Sequence, residues 1–414
     1  MGPFVYESYE IYQSYVSYES YEIFQSYENR IELKTGLGGR MEYRNPFKPT
    51  AGKMPPVLVG RDKVVNDFVE GLYEGEGAPG RLMRITGPRG SGKTVLLSEL
   101  AKIAEDQGWL VVNAAGSDEL VESLSRKLKR APFFNEVRLK AQIPFASIEA
   151  QHQNTSPDDF ESLLEFATGE MSKRGKGLLI TIDEVQDAPM DAIRTIASAV
   201  QFMIRDEQNI ALVFAGITTG VLDILNGKSL TFLRRAKPEE LDAIPLDEVR
   251  YSLLQTIEES GLSIDDDALD AATGATRGYA YLIQLVGYHV WRAAWLRGRD
   301  GEEPITITLA DTRKGIESAL EEFKTAVLET AISDLPKTAI DFILAMSDMS
   351  DVASVAEIAK VLGKSSGYLS PYRRKLISRQ VIEPTAPGFV TFSIPFMKEY
   401  LQESREEILA RYGE

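Results

Sequence analysis

The 414-residue sequence contains no cysteine and only two histidines, His152 and His289. The first absence excludes a disulfide framework and any metal site built on thiolates. The second leaves no pair of imidazoles at ligand spacing, so a zinc centre is not expected and both histidines read as incidental. No uninterrupted apolar run is long enough to span a bilayer, and no signal peptide is recognisable, which predicts a cytoplasmic protein without a membrane partner. Basic residues are in deficit, 46 Lys and Arg against 62 Asp and Glu, for a net charge of −16. That balance excludes wholesale coating of nucleic acid and leaves room only for a local basic face. What is present is ordinary for a globular chain, 43% hydrophobic and 26% charged residues, and the length suits about two or three domains.

Residues 1–40 differ from the rest. Aromatics recur at every third position from Tyr6 to Tyr27, and the string Tyr-Glu-Ser-Tyr-Glu-Ile-Tyr/Phe-Gln-Ser-Tyr at 6–15 returns at 18–27. A spacing of three supplies a clean apolar face to neither a helix nor a strand. Two readings stand: an aromatic low-complexity tail that meets itself or a partner, or a translated tandem repeat ahead of a start at Met41. The second is preferred, because the globular pattern begins at Met41-Glu42-Tyr43-Arg44-Asn45-Pro46-Phe47. No function is assigned to this stretch.

The apolar run Leu82-Met83-Arg84-Ile85-Thr86 leads into Gly87-Pro88-Arg89-Gly90-Ser91-Gly92-Lys93-Thr94, and a helix begins at Val95. Gly-x-x-x-x-Gly-Lys-Thr between strand and helix is the phosphate-binding P-loop. Its glycines let successive backbone N–H groups turn towards phosphate, and the helix N-terminus favours an anion. Lys93 is expected on the β- and γ-phosphates and Thr94 on Mg²⁺. A second buried strand, Leu178-Leu179-Ile180-Thr181-Ile182, ends in Asp183-Glu184. Carboxylates at the C-terminal end of such a strand belong beside the γ-phosphate, Asp183 for Mg²⁺ and Glu184 as the base for the attacking water.

Other elements follow a definite order. Leu58-Val59-Gly60-Arg61-Asp62 opens an amphipathic helix through Leu72. Trp109–Ala114 and Ile210–Gly216 read as strands, 117–130, 158–171 and 192–203 as helices, and 131–156 as a variable connection. Thr218 and Thr219 follow the strand ending at Gly216, where helix capping is an equal reading. Arg234-Arg235 precede Leu241–Leu246, read as a fifth strand.

Residues 57–300 resemble AAA+ P-loop ATPases, in the branch that holds origin-initiator ATPases, archaeal-type ATPases and STAND signalling ATPases. The resemblance implies an α/β fold, a P-loop parallel sheet sandwiched by helices, then a helical lid. It implies that Gly60 and Arg61 lie beside adenine, with Gly87, Pro88, Arg89, Gly90, Ser91, Gly92, Lys93, Thr94 and Val95 around the phosphates. It also implies a γ-phosphate sensor at Thr218 and an arginine finger or sensor at Arg235. The lid is expected as helices at 247–261, 265–272 and 273–287. The family's second-sensor arginine falls on Tyr281, and the Gly-x-Pro of STAND relatives falls on Ala280, so this chain departs from both patterns. Arg277 is the remaining substitute, and slow turnover is expected.

The domain expectation is therefore a core at 41–246, a lid at 247–300, a helical bridge at 301–335, a small α+β domain at 336–400 and a C-terminal helix at 401–414. In the small domain, helices at 339–344, 354–363 and 365–378 precede a hairpin of 380–383 with 388–393, which resembles a winged helix-turn-helix. Its third helix carries Ser366, Tyr368, Tyr372, Arg373, Arg374 and Lys375, a basic patch suited to double-stranded DNA. Two outputs are open: DNA binding, or contact with itself or another protein as a signalling or defence switch. In both, ATP and ADP set the state and Mg²⁺ is the cofactor.

Overall fold

The apolar runs that follow the first helix become the strands of one sheet. A computed structural model describes residues 44–50, 52–75, 77–134, 159–227, 230–298 and 305–412. The tyrosine repeat, most of the 131–156 connection and His152 lie outside the described residues. Asn45–Glu414 form a single compact unit. Strands β1 (Leu82–Thr86), β2 (Leu110–Ala115), β3 (Leu178–Asp183), β4 (Ile210–Gly216) and β5 (Lys237–Glu240) pair in the order β2-β3-β4-β1-β5. All four pairings are parallel. β4 is buried along its whole length, as a strand covered on both faces must be.

Helices supply the two covers. α1 (Asp62–Glu74) and α2 (Lys93–Asp106) set Val64, Phe68, Leu96 and Leu100 against Met83, Ile85 and Val213 of the sheet. On the other face α3 (Leu120–Leu128), α4 (Phe160–Ser172), α5 (Met190–Arg205) and α6 (Thr218–Asn226) bring Leu124, Leu163, Ile193 and Val221 against Ile180, Leu212 and Phe214. This is an α/β fold with a parallel sheet between helical layers.

The fifth strand lies earlier than the apolar pattern indicates. Lys237–Glu240 pair with β1, whereas Leu241–Leu246 leave the sheet. Leu241 still donates to Thr86 O at 2.7 Å, but Ile244 donates to Gly278 O at 2.8 Å. The apolar residues there pack the crossing towards the next helices, while the edge strand itself is polar.

Those helices are α7 (Leu246–Glu259), α8 (Asp266–Thr276) and α9 (Ala280–Gly298). Residues 273–276 belong to α8 and do not open the third helix. The break is at Arg277 (φ 48°) and Gly278 (φ 70°), two successive left-handed residues of the kind that end helices. Short strands β6 (Ser263–Ile264) and β7 (Thr306–Ile307) pair, and α10 (Leu309–Phe323) continues into a π-helical turn, Lys324–Glu329. α10 begins with a capping box in which Thr308 and Asp311 satisfy each other's backbone N–H groups.

The C-terminal part comprises α11 (Lys337–Ser347), β8 (Ala353–Ser354), α12 (Val355–Val361), α13 (Ser366–Ser378), β9 (Ile382–Ala386), β10 (Phe389–Phe392), α14 (Met397–Glu403) and α15 (Arg405–Tyr412). Ser354 is a strand residue paired with Phe389, not the first residue of a helix. The hairpin turns at Pro387-Gly388, two residues later than the sequence pattern indicates. Gly388 takes φ 85°, and Pro384 is tolerated because β9 is an edge strand in the order β8-β10-β9. No helix among the described residues is long and apolar enough to cross a membrane.

Candidate active site

Gly87–Thr94 leave the C-terminal end of β1 and run into α2. Gly90 (φ 77°) and Gly92 (φ 94°) take left-handed backbone, which glycine adopts without strain. Gly92 is the N-cap of α2 and accepts the Leu96 N–H at 2.9 Å. Lys93, the first helical residue, is only 5% exposed. Its Nζ donates to Gly87 O and to Pro88 O, both at 2.9 Å. Burial lowers the pKa of this ammonium; the charges of Glu184 and Asp183 work against that, and Arg89 adds to it.

The two motifs meet at Thr94, whose Oγ1 donates to Asp183 Oδ2 at 2.6 Å. Asp183 Oδ1 accepts the Glu184 N–H at 2.9 Å. Parallel order explains the meeting: β3, β4 and β1 are consecutive neighbours, so their C-terminal ends open on one crevice. Thr94 and Asp183 offer two hard oxygens side by side, a donor pair that would suit a divalent cation such as Mg²⁺. The fit to phosphate rests on Lys93 and on Ser91, whose buried Oγ has no hydrogen-bond partner. Arg89 is exposed at the loop's outer turn, and Val95 lies half-buried in the first turn of α2.

Arg61 packs against the phosphate loop. It is 8% exposed, and its guanidinium donates to Ser91 O (3.1 Å), Asp242 O (3.2 Å) and Gly60 O (3.3 Å). Burial lowers its pKa, opposed by Asp242 and Glu248. It therefore clamps the P-loop to the segment after β5. Gly60 beside it has φ 67°, and a Cβ there would stand 3.0 Å from Glu248 Oε2.

Thr218 is the first residue of α6; the N-cap is Ile217, and no side chain caps this helix. The capping reading is thus corrected: the helix starts earlier than Val221, with both threonines inside it. Arg235 is exposed at the end of the short turn Leu233–Arg235, whereas Arg234 donates to Leu225 O at 2.6 Å. Arg277 pairs with Glu399, and its guanidinium lies 3.7 Å from the Phe396 ring centroid.

Two residues without any spacing signal complete the crevice. Tyr279, 7% exposed, donates its hydroxyl to Arg89 O, and a Cβ at Gly90 would come 2.2 Å from that hydroxyl. Burial pushes its phenol well above the ordinary value. Gln186 Nε2 donates to Glu184 Oε2 at 2.7 Å.

On α13, Ser366, Tyr368, Arg374 and Lys375 are exposed, and Tyr372 and Arg373 are half-buried. Arg373 Nε is enclosed without a hydrogen-bond partner, so the basic run does not form one face. α13 also touches α6.

Residues 57–213 match a family model described as AAA ATPase domain, and residues 325–401 match one described as a domain of unknown function, DUF8462. No curated protein matches the sequence. Among solved structures, the chain is similar to the Walker-type ATPase paby2304 of Pyrococcus abyssi at 14% identity and a TM-score of 0.58, over 83% of this chain and 96% of that one. It is also similar to the Aeropyrum pernix ORC2 protein in its ADPNP-ADP complexes, at 14% identity and a TM-score of 0.56, over 91% and 100% of the two chains. At these identities the likeness is one of fold.

Proposed function

We propose that the chain is an AAA+ P-loop ATPase, an ATP hydrolase that works as a nucleotide-dependent switch with its output in the C-terminal module. The observation that carries the site is the 2.6 Å bond from Thr94 to Asp183, with the Lys93 ammonium buried beside it. In this reading Glu184 accepts a proton from the water that attacks the γ-phosphorus. Lys93 sets its charge against the phosphoryl oxygens, and Thr94 and Asp183 supply the oxygens for Mg²⁺. The metal, when bound, neutralises charge across the phosphates. Arg235 stands exposed and offers a guanidinium fork to a nucleotide, its own or a neighbouring copy's.

Fluorescent-nucleotide binding and phosphate release test this. Lys93→Ala is expected to lose ATP binding; undiminished affinity would overturn the assignment. Glu184→Gln is expected to bind ATP but turn it over about 10²–10⁴-fold more slowly.

For the output, the order of α11, α12, α13 and the β9–β10 hairpin supports a winged helix-turn-helix that binds DNA through the exposed end of α13. DNA affinity of the full chain should then fall steeply with salt. Arg374→Ala with Lys375→Ala should flatten the log–log salt slope by about two. A second reading is favoured by the docking of this module on the ATPase part. Arg277 pairs with Glu399, and α13 touches α6. A module held this way is an autoinhibitory or protein-contact device, and salt-insensitive absence of DNA binding with either nucleotide would select it.

A further inference from the structure

Glu184 lies in the left-handed region (φ 46°, ψ 47°) and starts the short turn Val185–Asp187. A side chain with two rotatable ends on such a turn needs a second anchor if its carboxylate is to hold one position. Gln186 supplies it. Its amide has two ends, and both are used: the Ile217 N–H donates to Gln186 Oε1 at 3.2 Å, and Gln186 Nε2 donates to Glu184 Oε2 at 2.7 Å. The orientation of the amide follows from chemistry. Ile217 offers only a donor, so the amide oxygen must face it, and the NH₂ must then face the carboxylate. Space is reserved for this side chain by two glycines. A Cβ at Gly216 would stand 2.4 Å from Gln186 Oε1, and one at Gly220 would stand 2.5 Å from Gln186 Cβ.

We propose that Gln186 is a positioning residue for ATP hydrolysis, which ties the Glu184 carboxylate to the end of β4 and leaves its second oxygen for the attacking water. The proposal rests on the reading of Glu184 as base. The held carboxylate is near enough to Lys93 to be the strongest opposite charge acting on that ammonium, ahead of Asp183. The tie also runs to the residue just before Thr218, so a shift of the β4–α6 junction moves the base with it. A residue serving only to satisfy the Ile217 N–H would need the acceptor end alone; the bond to Glu184 would be surplus.

The test uses the full chain with Mg²⁺ and ATP. Gln186→Met keeps the length of the side chain and removes both bonds. Gln186→Glu keeps an acceptor for Ile217 and sets a second carboxylate against Glu184. Both are expected to lower kcat by about ten- to a hundredfold, the loss that misplacing a reacting group by about 1 Å brings, with KM for ATP unchanged. In a Glu184→Gln background, measured by single turnover, Gln186→Met should add no further loss. Gln186→Glu with unchanged kcat, or Gln186→Met with an equal loss in both backgrounds, would overturn the proposal while leaving the base reading intact. Full turnover by Glu184→Gln alone would remove the base reading instead, and the proposal with it.

Discussion

Tyr279 occupies the place where the phosphate loop meets the helices that follow the sheet, and a single oxygen carries that contact. Its hydroxyl bonds Arg89 O while its ring lies edge-on to Phe323, with centroids 5.9 Å apart. Tyr279→Phe is expected to cost about 1 kcal/mol of stability, the net value of one such bond. It should also loosen the loop, read as weaker ATP binding in a titration. The P-loop was legible in sequence because its chemistry is local: Gly90 and Gly92 need left-handed backbone, and Lys93 must follow at the helix start. Tyr279 and Gln186 were not legible. The first acts across 190 positions of chain, and the second acts through an amide whose partners become neighbours only when β3 and β4 pair. Arg61 was legible as a residue of interest but not in its bonds, since a guanidinium fits backbone carbonyls as well as it fits a ligand.

The helices and strands show where apolar patterning is a sufficient guide. Runs such as Leu178–Asp183 can satisfy themselves only inside a sheet, and they do. β5 has the sequence Lys-Pro-Glu-Glu, in which nothing marks a strand; its pairing is dictated by the exposed edge of β1. The end of α8 was equally hidden, because a left-handed Arg277 is paid for by contacts far away. α10 depends on a polar start. The Arg297 guanidinium forks onto Asp311, with Nε–Oδ1 and Nη2–Oδ2 both 3.0 Å, and Asp311 also accepts from Thr308. Burial works to raise the Asp311 pKa, but the Arg297 and Thr308 bonds outweigh it and hold the carboxyl below its ordinary 3.8. Its contribution is therefore present above that value and lost as pH falls through the folded one. Asp311→Ala removes the fork and the capping box together and should destabilise by about 1–2 kcal/mol in denaturant unfolding.

Across the whole compact unit, the C-terminal module is held by contacts of opposite electrostatic sense. Glu383 is pushed above its ordinary 4.5 by burial and then by Asp242 and Glu240. Its contribution to docking is full below 4.5 and is lost as pH rises through the folded value. Glu399 behaves in reverse: burial raises it, but the Arg277 bond and charge outweigh that and hold it below 4.5. Its contribution is present above 4.5 and lost as pH falls further. Docking should therefore be tightest in mildly acidic solution, and small-angle scattering across that range should show the smallest radius there. Glu383→Gln should carry the compact form to neutral pH, and a radius that ignored both changes would refute the account.

The Arg61 clamp closes a circuit. Arg61 joins Ser91 to Asp242, Ile244 bonds Gly278, and Tyr279 returns to Arg89. None of these three segments can part from the others without breaking the same ring of hydrogen bonds. Their backbone amides are then expected to exchange with solvent as one cooperative unit, which hydrogen-exchange measurements on the full chain would check.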